Sequence, residues 1–131
     1  MSAKILLVDD DPVFLLGMSL LLRSEGFEVA TAEDGSETVE AMTSTKPDLI
    51  LMDILFSPTR QQDGKLDWDG FRIMNWLRCV KGEANTAPVI FLTGADQREY
   101  AERARTAGAI AVFEKTVETA QLMELIHRLL D

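Results

Sequence analysis

The sequence predicts an α/β fold in which a parallel sheet is covered on both faces by helices. Three observations predict it. Five short apolar runs recur along the chain, most of them continuous rather than alternating, as expected of strands buried on both faces. Segments of helical period lie between them, so the order is βα repeated five times. The 131 residues suffice for about one domain around one core. Such alternation calls for right-handed crossovers, and its compact solution is a three-layer sandwich.

The first run is Ile5-Leu6-Leu7-Val8. Asp11 then supplies a helix N-cap and Pro12 suits the first helical position, while Phe14, Met18, Leu21 and Leu22 line one side until Gly26 ends the turn. After the second run, Val29-Ala30-Thr31-Ala32, a helix is expected from about Ser36 to Ser44, and Pro47 separates it from the third run, Leu49-Ile50-Leu51-Met52. Residues Phe56 to Trp68 fit neither period and hold Ser57, Pro58, Gln61, Gln62, Asp63 and Gly64, which reads as a long surface loop. Loops of that length inside a compact domain are often functional. A third helix begins near Asp69, with Ile73, Leu77 and Val80 as its stripe and Gly82 as its stop. The fourth run, Val89-Ile90-Phe91-Leu92, leads to a helix whose Tyr100, Ala104 and Ala107 face inward and which Gly108 closes. The fifth run, Ile110-Ala111-Val112-Phe113, precedes a helix with Leu122, Leu125, Ile126 and Leu129 at the i, i+3, i+4, i+7 spacing of a sheet-packed face.

Composition removes several function classes. A net charge of −9 repels a phosphate backbone and no Lys/Arg cluster offsets it, so direct nucleic-acid binding is not expected. No run approaches membrane-spanning length, and four apolar residues before Asp9 are too few for a signal peptide, so the expected location is cytoplasmic with no membrane partner. Cys79 is the one cysteine, which excludes an internal disulfide and a cysteine-rich metal site; it reads as an ordinary helix residue. His127, inside the last helix, reads as a surface residue rather than a phosphotransfer site.

In an open parallel sheet, ligands bind beyond the carboxyl ends of the strands. Those ends carry Asp9-Asp10-Asp11, Asp53, Thr93 and Lys115, so four of the five strands deliver polar side chains to one rim. Carboxylates gathered there resist joint ionisation unless a cation shares their charge. With only oxygen donors on offer, a hard ion such as Mg2+ is favoured over zinc, and magnesium leaves room for a phosphoryl group. One carboxylate could then attack a phosphoryl donor and carry an aspartyl phosphate, with Lys115 pairing to the phosphoryl oxygens and Thr93 donating a hydrogen bond. Asp11, before Pro12, is read as a cap and not as a ligand.

These residues resemble the receiver domains of bacterial response regulators over essentially the whole chain. Ile5-Leu6-Leu7-Val8-Asp9-Asp10-Asp11-Pro12 is similar to the family's opening strand and acidic pair, and Pro47-Asp48-Leu49-Ile50-Leu51-Met52-Asp53 to the segment ending in its phospho-acceptor. Phe91-Leu92-Thr93-Gly94 and Phe113-Glu114-Lys115 match its switch threonine and its lysine. The resemblance implies a single receiver domain over 1–131 with a flavodoxin-like fold, strand order 2-1-3-4-5 and five helices; a receiver domain is itself a standard example of the switch-point rule for that order. It also implies that Asp53 accepts the phosphoryl group, that Asp10, Asp53 and the backbone carbonyl of Leu55 bind Mg2+ directly, and that Asp9 helps through water. A histidine kinase or phosphotransfer protein would be the donor. A downstream protein would dock on the face of the fourth helix, fifth strand and fifth helix, where Arg98, Glu99, Glu102, Arg103, Arg105, Gln121, Glu124 and Arg128 lie.

Three positions depart from the family pattern. Thr116 follows Lys115 where proline is usual, and Val112 stands three positions before the lysine where an aromatic switch residue is common. The loop after Asp53 is roughly nine residues longer than usual, which makes it a candidate lid or partner-selection element with Trp68 as an anchor. Leu55 and Ala95, two positions beyond the acceptor and the threonine, cannot orient an attacking water, which predicts slow self-dephosphorylation. Two other readings compete. Asp9-Asp10-Asp11-Pro12-Val13 also fits the DxDxV pattern of haloacid-dehalogenase-like phosphatases, with Asp9 as nucleophile, although the acidic pair such enzymes need after the lysine is missing. Val112 and Thr116 fit a phosphorylation-independent interaction module of the same fold.

Overall fold

The computed structural model describes residues 2–54, 71, 74, 75, 79, 87–94, 97–115 and 119–131, with the side chains of 97–100 excepted. Five parallel strands, β1 (Lys4–Val8), β2 (Glu28–Ala32), β3 (Leu49–Asp53), β4 (Val89–Thr93) and β5 (Ala111–Glu114), form one sheet of order β2-β1-β3-β4-β5. Four continuous helices are described: α1 (Pro12–Ser24), α2 (Gly35–Thr45), α3 (Gln97–Ala107) and α4 (Thr119–Leu130). The third helix expected from the sequence falls between β3 and β4, where Phe71, Met74, Asn75 and Cys79 are described and all are helical. Ile73, Leu77, Val80 and the whole 56–68 loop lie outside the described residues.

Continuous apolar strands follow from a sheet covered twice. Because side chains alternate, Ile5, Leu7, Leu49, Leu51, Ile90 and Leu92 enter one core with Leu15 and Leu22 of α1 and Leu122, Met123 and Ile126 of α4. Leu6, Val8, Ile50, Met52, Val89 and Phe91 enter the other with Ala41 and Met42 of α2, with Ala104 of α3, and with Phe71 and Met74 from between β3 and β4. Two helical stripes sit differently from the sequence expectation. Leu15, not Phe14, is the buried residue of the first turn of α1, and Met123 joins the core while Leu129 is exposed.

The helix ends are chemically defined. The Asp11 side chain accepts from Val13 N and caps α1, and Asp34 accepts from Glu37 N and caps α2. At the other end of α1, Gly26 N donates to Arg23 O and Phe27 N to Leu22 O, the paired bonds of a Schellman motif. Gly26 has φ 96°, a conformation that other residues adopt only with strain. The same pairing closes α3, with Gly108 at φ 91° donating to Arg105 O and Ala109 to Ala104 O.

Register brings the carboxyl ends level. Val8 pairs with Ala32 and Met52, Asp53 with Leu92, and Thr93 with Glu114. One more backbone bond extends three of the four ladders: Asp9 N to Ala32 O at 3.1 Å, Ile54 N to Leu92 O at 3.0 Å and Lys115 N to Thr93 O at 2.8 Å. Asp9, Ile54 and Lys115, just past the strands, are therefore tied to the sheet by their backbones.

Candidate functional site

That rim assembles most of the residues singled out in the sequence. One carboxylate oxygen from each of Asp9, Asp10 and Asp53 lies within 4.8 Å of the others. Asp9 is fully buried, Asp53 nearly so, and Asp10 only partly. Lys115 Nζ reaches in from the end of β5, 2.6 Å from Asp9 Oδ2 and 3.5 Å from Asp53 Oδ2. Asp9 Oδ1 accepts from Asp11 N at 2.9 Å, so the residue that caps α1 also steadies the buried carboxylate. Thr93 is buried at the end of β4, beside Lys115 through the bond between their backbones. Leu55 and Ala95 lie outside the described residues, as does Thr116.

The electrostatics follow from this packing. Burial raises the Asp9 carboxyl above the ordinary carboxylate range, with the charge of Asp10 adding to it, against the pull of the Lys115 ammonium and the Asp11 amide. Burial works to lower Lys115, but its bond to Asp9 and the charge of Asp53 outweigh burial and hold the ammonium above the ordinary lysine value. Asp9 Oδ2 is buried and is met by the Lys115 ammonium in a short ion pair. Three clustered carboxylate oxygens form a donor set suited to a hard cation.

One residue at the rim was read from the sequence only as core. Phe14, in the first turn of α1, is half-buried, and its ring centroid lies 4.8 Å from Lys115 Nζ. A sequence signal existed: side chains lean toward a helix's N-terminus, and this helix starts at the acidic rim. His127 stands away from the rim, as expected, contacting Glu25 Oε1 at 2.8 Å and Asp131 Oδ2 at 2.6 Å. Cys79 is exposed.

On the expected docking face, Glu102, Arg105, Gln121, Glu124 and Arg128 are exposed, and the side chains of Arg98 and Glu99 lie outside the described residues. Arg103 is exposed as well, with its guanidinium 4.3 Å from the Phe71 ring centroid. Between α3 and β5 a cavity of about 340 Å³ is lined by Ala101, Ala104, Arg105, Ala109, Ile110, Ala111 and Val112. Among the described residues, no helix is long and apolar enough to cross a membrane.

Comparison with known proteins agrees with this arrangement. The family model described as a response regulator receiver domain matches residues 5–127. The chain is 33% identical over 125 residues to the transcriptional regulatory protein PdtaR of Mycobacterium tuberculosis, covering 95% of this chain and 55% of that protein. It is 30% identical over 128 residues to protein PilH of Pseudomonas aeruginosa, covering 98% of each. The structure of Vibrio cholerae chemotaxis protein CheY4 superimposes with a TM-score of 0.82 at 25% identity, covering 99% of this chain and 100% of that one. Against the first of these relatives the chain spans about half the length, whereas it spans nearly all of the other two.

Proposed function

Starting from the premise that this chain belongs to the response regulator receiver domain family of two-component systems, we propose that it is a phosphorylation switch whose acceptor is Asp53. The observation that carries the reading is the meeting of three carboxylates and the Lys115 ammonium on one rim. A histidine kinase or phosphotransfer protein is the donor. An Asp53 oxygen attacks phosphorus, the P–N bond of the donor's phosphohistidine breaks with its electron pair staying on the imidazole, and an aspartyl phosphate results.

Asp9, Asp10 and Asp53 would hold Mg2+, Asp9 through water, with the Leu55 carbonyl as a further ligand. When bound, the ion offsets the negative charge gathered by the acceptor and the arriving phosphoryl oxygens. The chain's own residues do the rest. Lys115, already shared between Asp9 and Asp53, pairs with a phosphoryl oxygen, and the Thr93 hydroxyl donates to another. A dianion beside Thr93 draws that residue inward, and α3, β5 and α4 present the change to a downstream protein. The cavity between α3 and β5 supports that choice of face.

Asp9 makes a poor alternative nucleophile, being fully buried and bound to Lys115. Intact mass after incubation with magnesium and acetyl phosphate tests the reading. A phosphoryl adduct lost in Asp53→Asn and kept in Asp9→Asn is expected. An adduct that depends on Asp9 and not on Asp53 moves the acceptor, and none from any donor, cognate kinases included, leaves a phosphorylation-independent module.

A further inference from the structure

Lys115 has a neighbour that the chemistry so far leaves unused. Its ammonium is held by two carboxylates and, 4.8 Å away, by the ring of Phe14. A cation within about 6 Å of a ring centroid is attracted by the electron-rich face. We propose that Phe14 is a positioning residue for phosphoryl transfer, its ring seating the Lys115 ammonium at the mouth of the site. The inference rests on the switch reading above.

The seat is rigidly built. Asp11 donates its N–H to Asp9 Oδ1 and accepts Val13 N–H on its own carboxylate, so one short segment fixes both the buried carboxylate and the turn that carries Phe14. Lys115 closes the circuit, touching Asp9 at one side and Phe14 at the other. The sheet fixes its backbone through Thr93 O.

An aromatic face suits this place for a physical reason. To stabilise an incoming phosphoryl group on Asp53, the ammonium must turn from Asp9 toward the new oxygens. A fourth carboxylate beside it would hold it back and would repel the phosphoryl dianion. A neutral ring attracts the ammonium before and after that turn without competing for its protons, and it displaces water that would otherwise solvate the charge.

The test compares Phe14→Leu, which keeps apolar bulk but loses the ring face, with Phe14→Tyr, which keeps both. With acetyl phosphate and magnesium, attack by Asp53 breaks the donor's P–O bond and releases acetate, so the rate is read as adduct formed over time. Phe14→Leu should slow it about fivefold, within the range expected for a partly desolvated cation–ring contact, and Phe14→Tyr should restore it to within about twofold. NMR checks independently that the ring lies against the ammonium in solution, while rescue by Phe14→Tyr separates a ring-face role from loss of the ring. The Lys115 Hε protons should carry an upfield ring-current shift in the parent and Tyr chains that disappears in Phe14→Leu.

Equal rates for the three chains, or Leu and Tyr variants that are slowed alike, overturn the inference while leaving the switch reading intact. Absence of the ring-current shift in the parent chain overturns it independently of any rate. A parent chain that accepts no phosphoryl group from any donor overturns both readings together.

Discussion

Removing the charge of Lys115 offers the sharpest check on the site's electrostatics. Lys115→Met keeps most of the stem and leaves Asp9 buried without its ammonium. Breaking a buried pair from one side costs about 3–5 kcal/mol. Asp9 can escape by taking up a proton, and since an ordinary carboxyl holds one only below about pH 4, holding it at pH 7 costs about 4 kcal/mol, which caps the penalty. Lys115 keeps 23% of its side chain exposed, so solvent already screens part of the pair. The expected loss is about 2–3 kcal/mol.

Urea unfolding at pH 7 in chelator-treated buffer measures it as a fall in midpoint of about 1–2 M at ordinary denaturant slopes. Adding Asp9→Asn removes the stranded charge and should recover more than about 1.5 kcal/mol, the coupling expected of residues in contact. Acidification should also close the gap between Lys115→Met and the parent, because each pH unit lowers the cost of protonating Asp9 by about 1.4 kcal/mol. A Lys115→Met midpoint within about 0.3 M of the parent, or a double variant no more stable than Lys115→Met, would refute the electrostatic account.

Three further outcomes are expected. The Glu25 bond and then the Asp131 bond raise His127 above its ordinary 6.5, so its contribution to stability is complete below that value and fades as pH rises through the folded-state pKa; the midpoint difference between the parent and His127→Gln should shrink from pH 5.5 to 8.5, and a difference that grows reverses the sign. Gly26→Ala meets no atom within 4 Å, so its cost is conformational alone, about 1–2 kcal/mol and a melting shift of a few degrees, and a neutral result contradicts the strain at φ 96°. Polar residues at both Leu55 and Ala95 should shorten the lifetime of the phosphorylated protein by helping to orient water, and an unchanged decay rate removes that reading.

The strands were legible because burial on both faces writes itself as an unbroken apolar run, and the rim was legible because strand ends are where polar residues interrupt those runs. Helical phase was harder to read. Phe14-Leu15-Leu16 offers three apolar residues in succession, so the sequence does not say which one faces the sheet; the fold buries Leu15 and turns Phe14 toward Lys115. Leu129 satisfied the helical spacing, yet it is exposed, and Met123 joins the core instead. The direct partner of Lys115 was also hidden. Strand ends place Asp9, Asp53 and Lys115 on one rim, but only the three-dimensional arrangement puts the ammonium closer to Asp9 than to Asp53.

The backbone bond from Ile54 to Leu92 bears on how such a molecule can diversify. It ties down the chain immediately after Asp53, so that carboxylate is anchored before the crossover to β4 begins. Extending a connection costs little, about 0.6 kcal/mol for each doubling of its length. New sequence can therefore accumulate in that crossover without shifting Asp53, and a lineage can vary what lies beside the carboxylate cluster while the cluster itself stays unchanged.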